Sequence, residues 1–278
     1  MKKVYARAVL RMSAFGRRIR ALQLRTPYNL NLQAHNVFEL DVDPEIVDEA
    51  TEIYANYLRL NRDKLADGHA RKSGVFLAEP GDWGSNIIWI SADDETTHNY
   101  LKNIFYRLKI ADRFKGVVNI KNEIRLFCCF FVSRSQCDTP YFHSDYFGNV
   151  GANAFTFMTP LYDYSGAEQA EPQLLYLDIK GNVRAYTYKK GKAVAFGELF
   201  QHSTAPCNVD EPYAFLCFTF GSDKPKYWNR IRGSIDTQSR IFCNQAGLLV
   251  ESDPYRPGVL FRGWKAVRKI LVRPFTSV

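Results

Sequence analysis

Residues 173–199 read QLLYLDIKGNVRAYTYKKGKAVAFGEL. Three apolar runs rich in aromatic and β-branched residues, at 173–179, 183–188 and 193–199, are separated by Lys180-Gly181-Asn182 and Lys190-Gly191-Lys192. Runs of this kind, punctuated by Gly and Asn, predict antiparallel strands joined by tight turns. The pattern extends in both directions: VVNI (117–120), IRLFCCFFV (124–132) and AFTFMTPLY (154–162) precede it, and YAFLCFTFG (213–221) follows. Regular short strands with turn residues between them predict a sandwich or a barrel, and the strand count best matches a jelly roll.

Further upstream the period changes. VFELDVD (37–43) alternates as a strand does, and residues 44–66 follow a helical period with Ile46, Ala50, Ile53, Tyr54, Tyr57 and Leu58 on one face. Asp43 before Pro44 is the expected N-cap. Residues 68–84 read as loop, IIWIS (87–91) as a strand, and 93–112 as a second helix with Tyr100, Ile104, Leu108 and Ile110 inward. Residues 222–255 read as loop-rich, and 257–272 as a final helix or a strand pair. The expected fold class is α+β: a jelly-roll core with flanking N-terminal helices around one core. A single domain spans 1–278: a basic N-terminal segment (1–26), helical support and lid (27–115), the jelly-roll core (116–221), and a C-terminal loop and extension (222–278).

The composition fits a globular chain: 278 residues, 46% hydrophobic and 24% charged, which excludes a disordered, collagen-like or coiled-coil protein. No run of 18 apolar residues occurs, so no transmembrane helix is expected. The net charge of +8 is unevenly spread. Residues 1–25 hold eight basic residues and no acid, residues 254–278 hold six and none, and residues 26–253 hold 23 basic against 29 acidic. The first segment reads as a basic helix over Tyr5–Leu24, ahead of an organelle-targeting peptide, and lacks the apolar region of a secretory signal. The mildly acidic middle argues against a nucleic-acid partner. None of the six cysteines forms a CxxC, and Cys128 and Cys129, adjacent on a strand, point to opposite faces. Buried thiols in a reduced, cytoplasmic protein are expected.

Of five histidines, His143 and His202 fall in the β-rich half. His143 stands in TPYFHSDYFG with Asp145 two residues on, and in extended chain residues i and i+2 share a face. His202, in FGELFQHSTAP, follows a predicted strand, with several strands in the gap. A jelly roll brings such positions to one mouth. Two imidazoles and a carboxylate on one side of a metal, with the other side open, are the ligand set of non-haem Fe(II) oxygenases.

Residues 85–221 resemble the Fe(II)/2-oxoglutarate-dependent oxygenases, most nearly the phytanoyl-CoA-hydroxylase-like branch. FFVSRSQCDTPYFHSDYFG is similar to that branch's "T-P-x-x-H-x-D" run, and the segment 173–206 to the strands leading into its "H-x-x-x-P". The resemblance implies a double-stranded β-helix, with His143, Asp145 and His202 as iron ligands and 2-oxoglutarate and O2 as cosubstrates. It implies hydroxylation or a related oxidation such as dealkylation, because Asp145 keeps the carboxylate that halogenating members lack. The chain departs from the family after His202. No Arg or Lys occurs before Lys224, where the family places an Arg that pairs bidentately with the far carboxylate of 2-oxoglutarate. Arg125 and Arg134 are the substitute cations, with Arg184 on a later strand. Tyr213 could add a hydroxyl contact, and Thr156 and Asn153 could meet the cosubstrate or support the ligands. Trp83, Trp89 and KYWNRIR (226–232) suit a small, anionic or zwitterionic substrate of secondary metabolism. Rival readings are a jelly-roll binding protein without activity, a cupin-like iron enzyme that uses no keto acid, and a membrane-surface or nucleic-acid protein using the basic ends.

Overall fold

The computed structural model describes residues 2–61, 69–72, 75–78, 87–92, 94–146, 149–166, 169–235 and 238–251. The chain opens with α1 (Lys2–Leu24), then a small hairpin of β1 (Tyr28–Asn29) and β2 (Ala34–His35), and β3 (Val37–Asp41). Asp43 Oδ1 accepts from Glu45 N and starts α2 (Pro44–Asn61), whose buried side carries Ile46, Val47, Ala50 and Tyr54. An antiparallel meander follows: β4 (His69–Lys72), β5 (Val75–Ala78) and β6 (Ile87–Ala92). Asp94 caps α3 (Glu95–Arg107) by accepting from Thr97 N at 2.7 Å, and α4 (Ile110–Phe114) leads into the long β7 (Ile124–Cys137). The remaining strands are β8 (Ala154–Pro160), β9 (Gln173–Leu177), β10 (Val183–Thr187), β11 (Lys192–Gly197), β12 (His202–Thr204) and β13 (Cys207–Ser222). Helix α5 (Pro225–Ile235) and a hairpin of β14 (Ile241–Cys243) and β15 (Leu249–Glu251) close the described chain.

Two sheets form the jelly roll. The larger has the order β3-β11-β8-β13-β7-β6-β5-β4, and the smaller the order β10-β9-β12, extended by a bridge between His143 and His202. All strand pairs of these sheets are antiparallel. Alternation along each strand divides the apolar residues into two cores. Phe155, Phe157, Ala214, Leu216 and Phe218 face α2, α3 and α4, with Phe105 and Phe114 packed against them. Phe130, Phe196, Phe215, Leu174 and Tyr176 fill the space between the two sheets. Cys129 lies in the first core and Cys128 in the second, as opposite faces require. A register shift between Thr219 and Phe220 breaks the alternation of β7, so Phe127 and Cys128 both point between the sheets. Among the described residues all six cysteines are free thiols, five of them buried.

Several elements differ from the sequence reading. Residues 117–120 are not a strand: Val117 N and Val118 N both bond Phe114 O, closing a turn after α4. The helix expected over 93–112 breaks at Lys109, which adopts a left-handed φ of 54°, and Tyr100 is exposed while His98, Leu101 and Phe105 are buried. Part of 68–84 is strand, not loop, because β4 and β5 extend the edge of the large sheet. Residues 222–255 hold α5, which begins at Pro225, and the β14–β15 hairpin. Strand β13 starts at Cys207, well before the expected Tyr213. Trp83, residues 62–66 and the stretch 257–272 lie outside the described residues.

Candidate metal centre

The bridge between the two strand ends builds the site. His143 N donates to His202 O and His202 N donates to His143 O, both at 2.9 Å, which sets the two imidazoles side by side with centroids 4.5 Å apart. The Nδ1 of His143 faces Tyr141 O at 3.0 Å and the Nδ1 of His202 faces Phe200 O at 3.2 Å. A carbonyl fixes the proton on Nδ1 and leaves Nε2 with its lone pair. Both Nε2 atoms turn to Asp145 Oδ1, at 3.4 Å from His143 and 3.5 Å from His202. These separations exceed those of charge-assisted hydrogen bonds, roughly 2.7–2.9 Å. The three donor atoms lie within 4.8 Å of one another and surround a common point.

The electrostatics suit a cation. Burial pushes the His202 imidazole down, and His143 beside it adds to the shift, so the ring is neutral at neutral pH. Burial acts to raise Asp145, but His202, His143 and the Thr156 hydroxyl outweigh it and hold the carboxyl below its ordinary range. Two imidazoles and one carboxylate are a mixed nitrogen and oxygen set that fits a divalent transition metal such as Fe(II).

Supports of the triad were only partly legible. Thr156 Oγ1 donates to Asp145 Oδ2 at 2.6 Å, and the Tyr146 hydroxyl lies 3.3 Å from Thr156 Oγ1. Thr156 therefore holds the Asp145 carboxylate in place. Ser203 Oγ accepts from Tyr141 N at 2.7 Å and ties the His143 segment to β12. Glu198 accepts from Asn149 N at 3.0 Å and Gly151 N at 2.6 Å, and buried Asn36 Nδ2 donates to Gly151 O and Glu198 O. This knot binds the loop after Asp145 to the chain just before His202. Gly197 is required there, since a Cβ would stand 2.5 Å from Asn36 Nδ2 and 2.8 Å from Ala154 O. Glu198 in the apolar run AVAFGELF was the available signal, because a buried acid needs donors. Nothing in the sequence marked Asn36 or Tyr146.

The other expected site residues are dispersed. Arg125 pairs with Glu123 at 2.7 Å and its guanidinium lies against Gly247 in the β14–β15 turn. Tyr213 gives its hydroxyl to Ala170 O and sets its ring edge-on to Tyr164 at 5.2 Å. Arg184 bonds Asp178 at 3.2 Å, and Asn153 bonds Asn119 N and Val150 O. Arg134 stands opposite Tyr213 on β7. Burial lowers its pKa, and among the described residues no acidic side chain pairs with it; the Cys137 thiol is its hydrogen-bond partner. Trp228 is packed between Phe127 and Phe242, with centroids at 5.7 and 6.1 Å, and Trp89 sits 6.0 Å from Phe130. Arg230, from the same helix as Trp228, reaches Asn149 O at 3.0 Å, beside the loop that follows Asp145.

No family model matches the chain, and no curated protein matches it. Solved structures are similar in fold. A prolyl-4-hydroxylase from Pseudomonas putida is 13% identical, with 69% of this chain and 95% of that chain covered and a TM-score of 0.44. The non-haem alpha-ketoglutarate-dependent epimerase SnoN of nogalamycin biosynthesis is 14% identical over 68% of this chain and 78% of that chain, with a TM-score of 0.45. EctD from S. alaskensis is 12% identical over 68% of this chain and 73% of that chain, with a TM-score of 0.47.

Proposed function

We propose that the chain is a non-haem Fe(II)- and 2-oxoglutarate-dependent oxygenase acting on a small polar molecule. The observation that carries this reading is the convergence of His143 Nε2, His202 Nε2 and Asp145 Oδ1 within 4.8 Å. His143, Asp145 and His202 would hold the iron on one side and leave its other side to ligands. When bound, iron and the keto acid supply oxidation of a C–H bond by O2, with release of succinate and carbon dioxide. The carbonyls of Tyr141 and Phe200 keep the two imidazoles in the ligating tautomer, and Thr156 orients the carboxylate. The similar solved structures include proteins described with iron, nickel or 2-oxoglutarate bound, which accords with this assignment. Arg134 is our candidate for the far carboxylate of 2-oxoglutarate, since Arg125 and Arg184 are already paired. Arg230 is the candidate cation for an anionic or zwitterionic substrate at the loop after Asp145. We assign the whole of 1–278 to one oxygenase domain, and hydroxylation or oxidative dealkylation in secondary metabolism as the reaction.

A second reading is favoured by β13, whose inward residues Tyr213, Phe215 and Cys217 include no cation. It is an iron enzyme that consumes O2 without a keto acid. One experiment separates the two. Anaerobic addition of Fe(II) and then 2-oxoglutarate should produce a weak visible charge-transfer band, and air should then release succinate. Iron retention with oxygen uptake independent of 2-oxoglutarate selects the second reading. Failure of the wild-type chain to retain Fe(II) rejects both.

A further inference from the structure

Helix α1 has two faces, and the barrel uses one. Ala14 and Ala21 are buried, at 3% and 1% exposure, and Thr26 N donates to Ala21 O where the helix ends against the domain. On the other face Phe15, Ile19 and Leu22 are exposed by 64%, 44% and 74%. Spacings of four and three place them on one stripe. Arg18 follows Phe15 by three residues on the helix, and Arg25 stands just past its C-terminal end. Arg18 and Arg25 are exposed. Large side chains in water along one helix face are costly, so the stripe calls for a cover.

We propose that α1 docks the protein on an anionic phospholipid surface. Phe15, Ile19 and Leu22 enter the boundary between headgroups and acyl chains, and Arg18 and Arg25 lie among the lipid phosphates. Charge selects this occupant. Residues 1–25 and 254–278 carry eight and six basic residues and no acid, so neither a second α1 nor the chain's own C-terminal stretch complements the stripe electrostatically. A nucleic acid would satisfy the arginines and leave the three apolar side chains in water. Residues 26–253 hold 23 basic and 29 acidic residues, so an anionic surface attracts the ends of the chain and not its middle. This docking does not depend on the chemistry at His143.

Flotation of the full chain with vesicles tests it. Phosphatidylcholine vesicles containing about 25 mol% phosphatidylglycerol should carry the protein upward at low salt, phosphatidylcholine alone should not, and added sodium chloride should weaken the binding. The combined change Phe15→Ser, Ile19→Ser and Leu22→Ser should lower partitioning by about tenfold or more with circular dichroism unchanged, since all three side chains are exposed. Arg18→Gln with Arg25→Gln should also lower it. Absence of flotation on the anionic vesicles overturns the proposal, as does a triple variant that floats like the wild type. A wild-type dimer that the triple variant turns into a monomer, without lipid binding by either, would assign the stripe to a second copy. DNA binding that survives the triple change and is not competed by vesicles would assign the arginines to nucleic acid.

Discussion

At His143 and His202 the Nδ1 atoms are engaged by Tyr141 O and Phe200 O, so each ring turns its Nε2 toward Asp145. His143→Ala, Asp145→Ala or His202→Ala should each abolish Fe(II)-dependent turnover while the far-ultraviolet circular dichroism stays native. A variant that keeps both iron and activity would remove its residue from the ligand set. Thr156→Val removes the hydroxyl that holds Asp145 and should weaken Fe(II) binding about 10–100-fold, with Thr156→Ser restoring most of it. An equilibrium iron titration reads both. The candidate ligand pair His143 and Asp145 was legible because residues two apart in extended chain share a face. The same rule applied to Glu123 and Arg125 explains why Arg125 is not a free cation: the acid two residues earlier meets it at 2.7 Å. Thr156 was legible as a residue near the site. Whether it would support a ligand or meet the cosubstrate was not, because the contact to Asp145 joins β8 to a loop whose path no local pattern encodes.

Among the elements, strands with an apolar face on each side were the most readable. Strand β7 runs longer than its apolar core suggests, and the register shift opposite Thr219 re-phases it. Short segments were the least readable. VVNI has strand-like composition, yet Lys121 N, Asn122 N and Glu123 N next to it donate to the Asp223 carboxylate, so this stretch finds its hydrogen bonds outside any sheet. The knot of Asn36, Glu198 and Gly151 belongs to this scale, since it joins the ends of three elements. Glu198→Gln puts an amide group where two backbone N–H donors need acceptors. The change should cost about 1–3 kcal/mol in urea unfolding and weaken Fe(II) binding as the two ligand-bearing segments loosen. Loss of stability with iron affinity intact would separate the knot from the triad.

For the molecule as a whole, His98 gives a readable link between pH and stability. It is 1% exposed between α3 and β7, with Nδ1 3.6 Å from Cys129 Sγ. Burial, with a lesser effect from Lys102, lowers its pKa from 6.5 to about 4. In the unfolded chain it takes a proton below pH 6.5, and in the folded chain it does not until about pH 4. The unfolded state therefore binds more protons in that window, and stability falls as pH falls through it, by about 3 kcal/mol in total. Urea unfolding at several pH values should show this slope, and His98→Gln should flatten it relative to wild type; parallel profiles for the two proteins would refute the assignment. The global charge was also resolved at this scale. A net +8 suggested a polyanionic partner for the whole chain, yet it resides in the two ends, and on α1 the exposed Arg18 stands beside an exposed apolar stripe. The sequence by itself determined the strand-rich half, the α+β class, the opposite facing of Cys128 and Cys129, and the candidate ligands, because each follows from spacings of a few residues. Only the tertiary structure decided that His143 and His202 share a bridge, that Arg125 is paired and that α1 leaves one face open. Those depend on contacts between segments far apart in the chain, which are selected by packing and hydrogen-bond satisfaction rather than by local pattern.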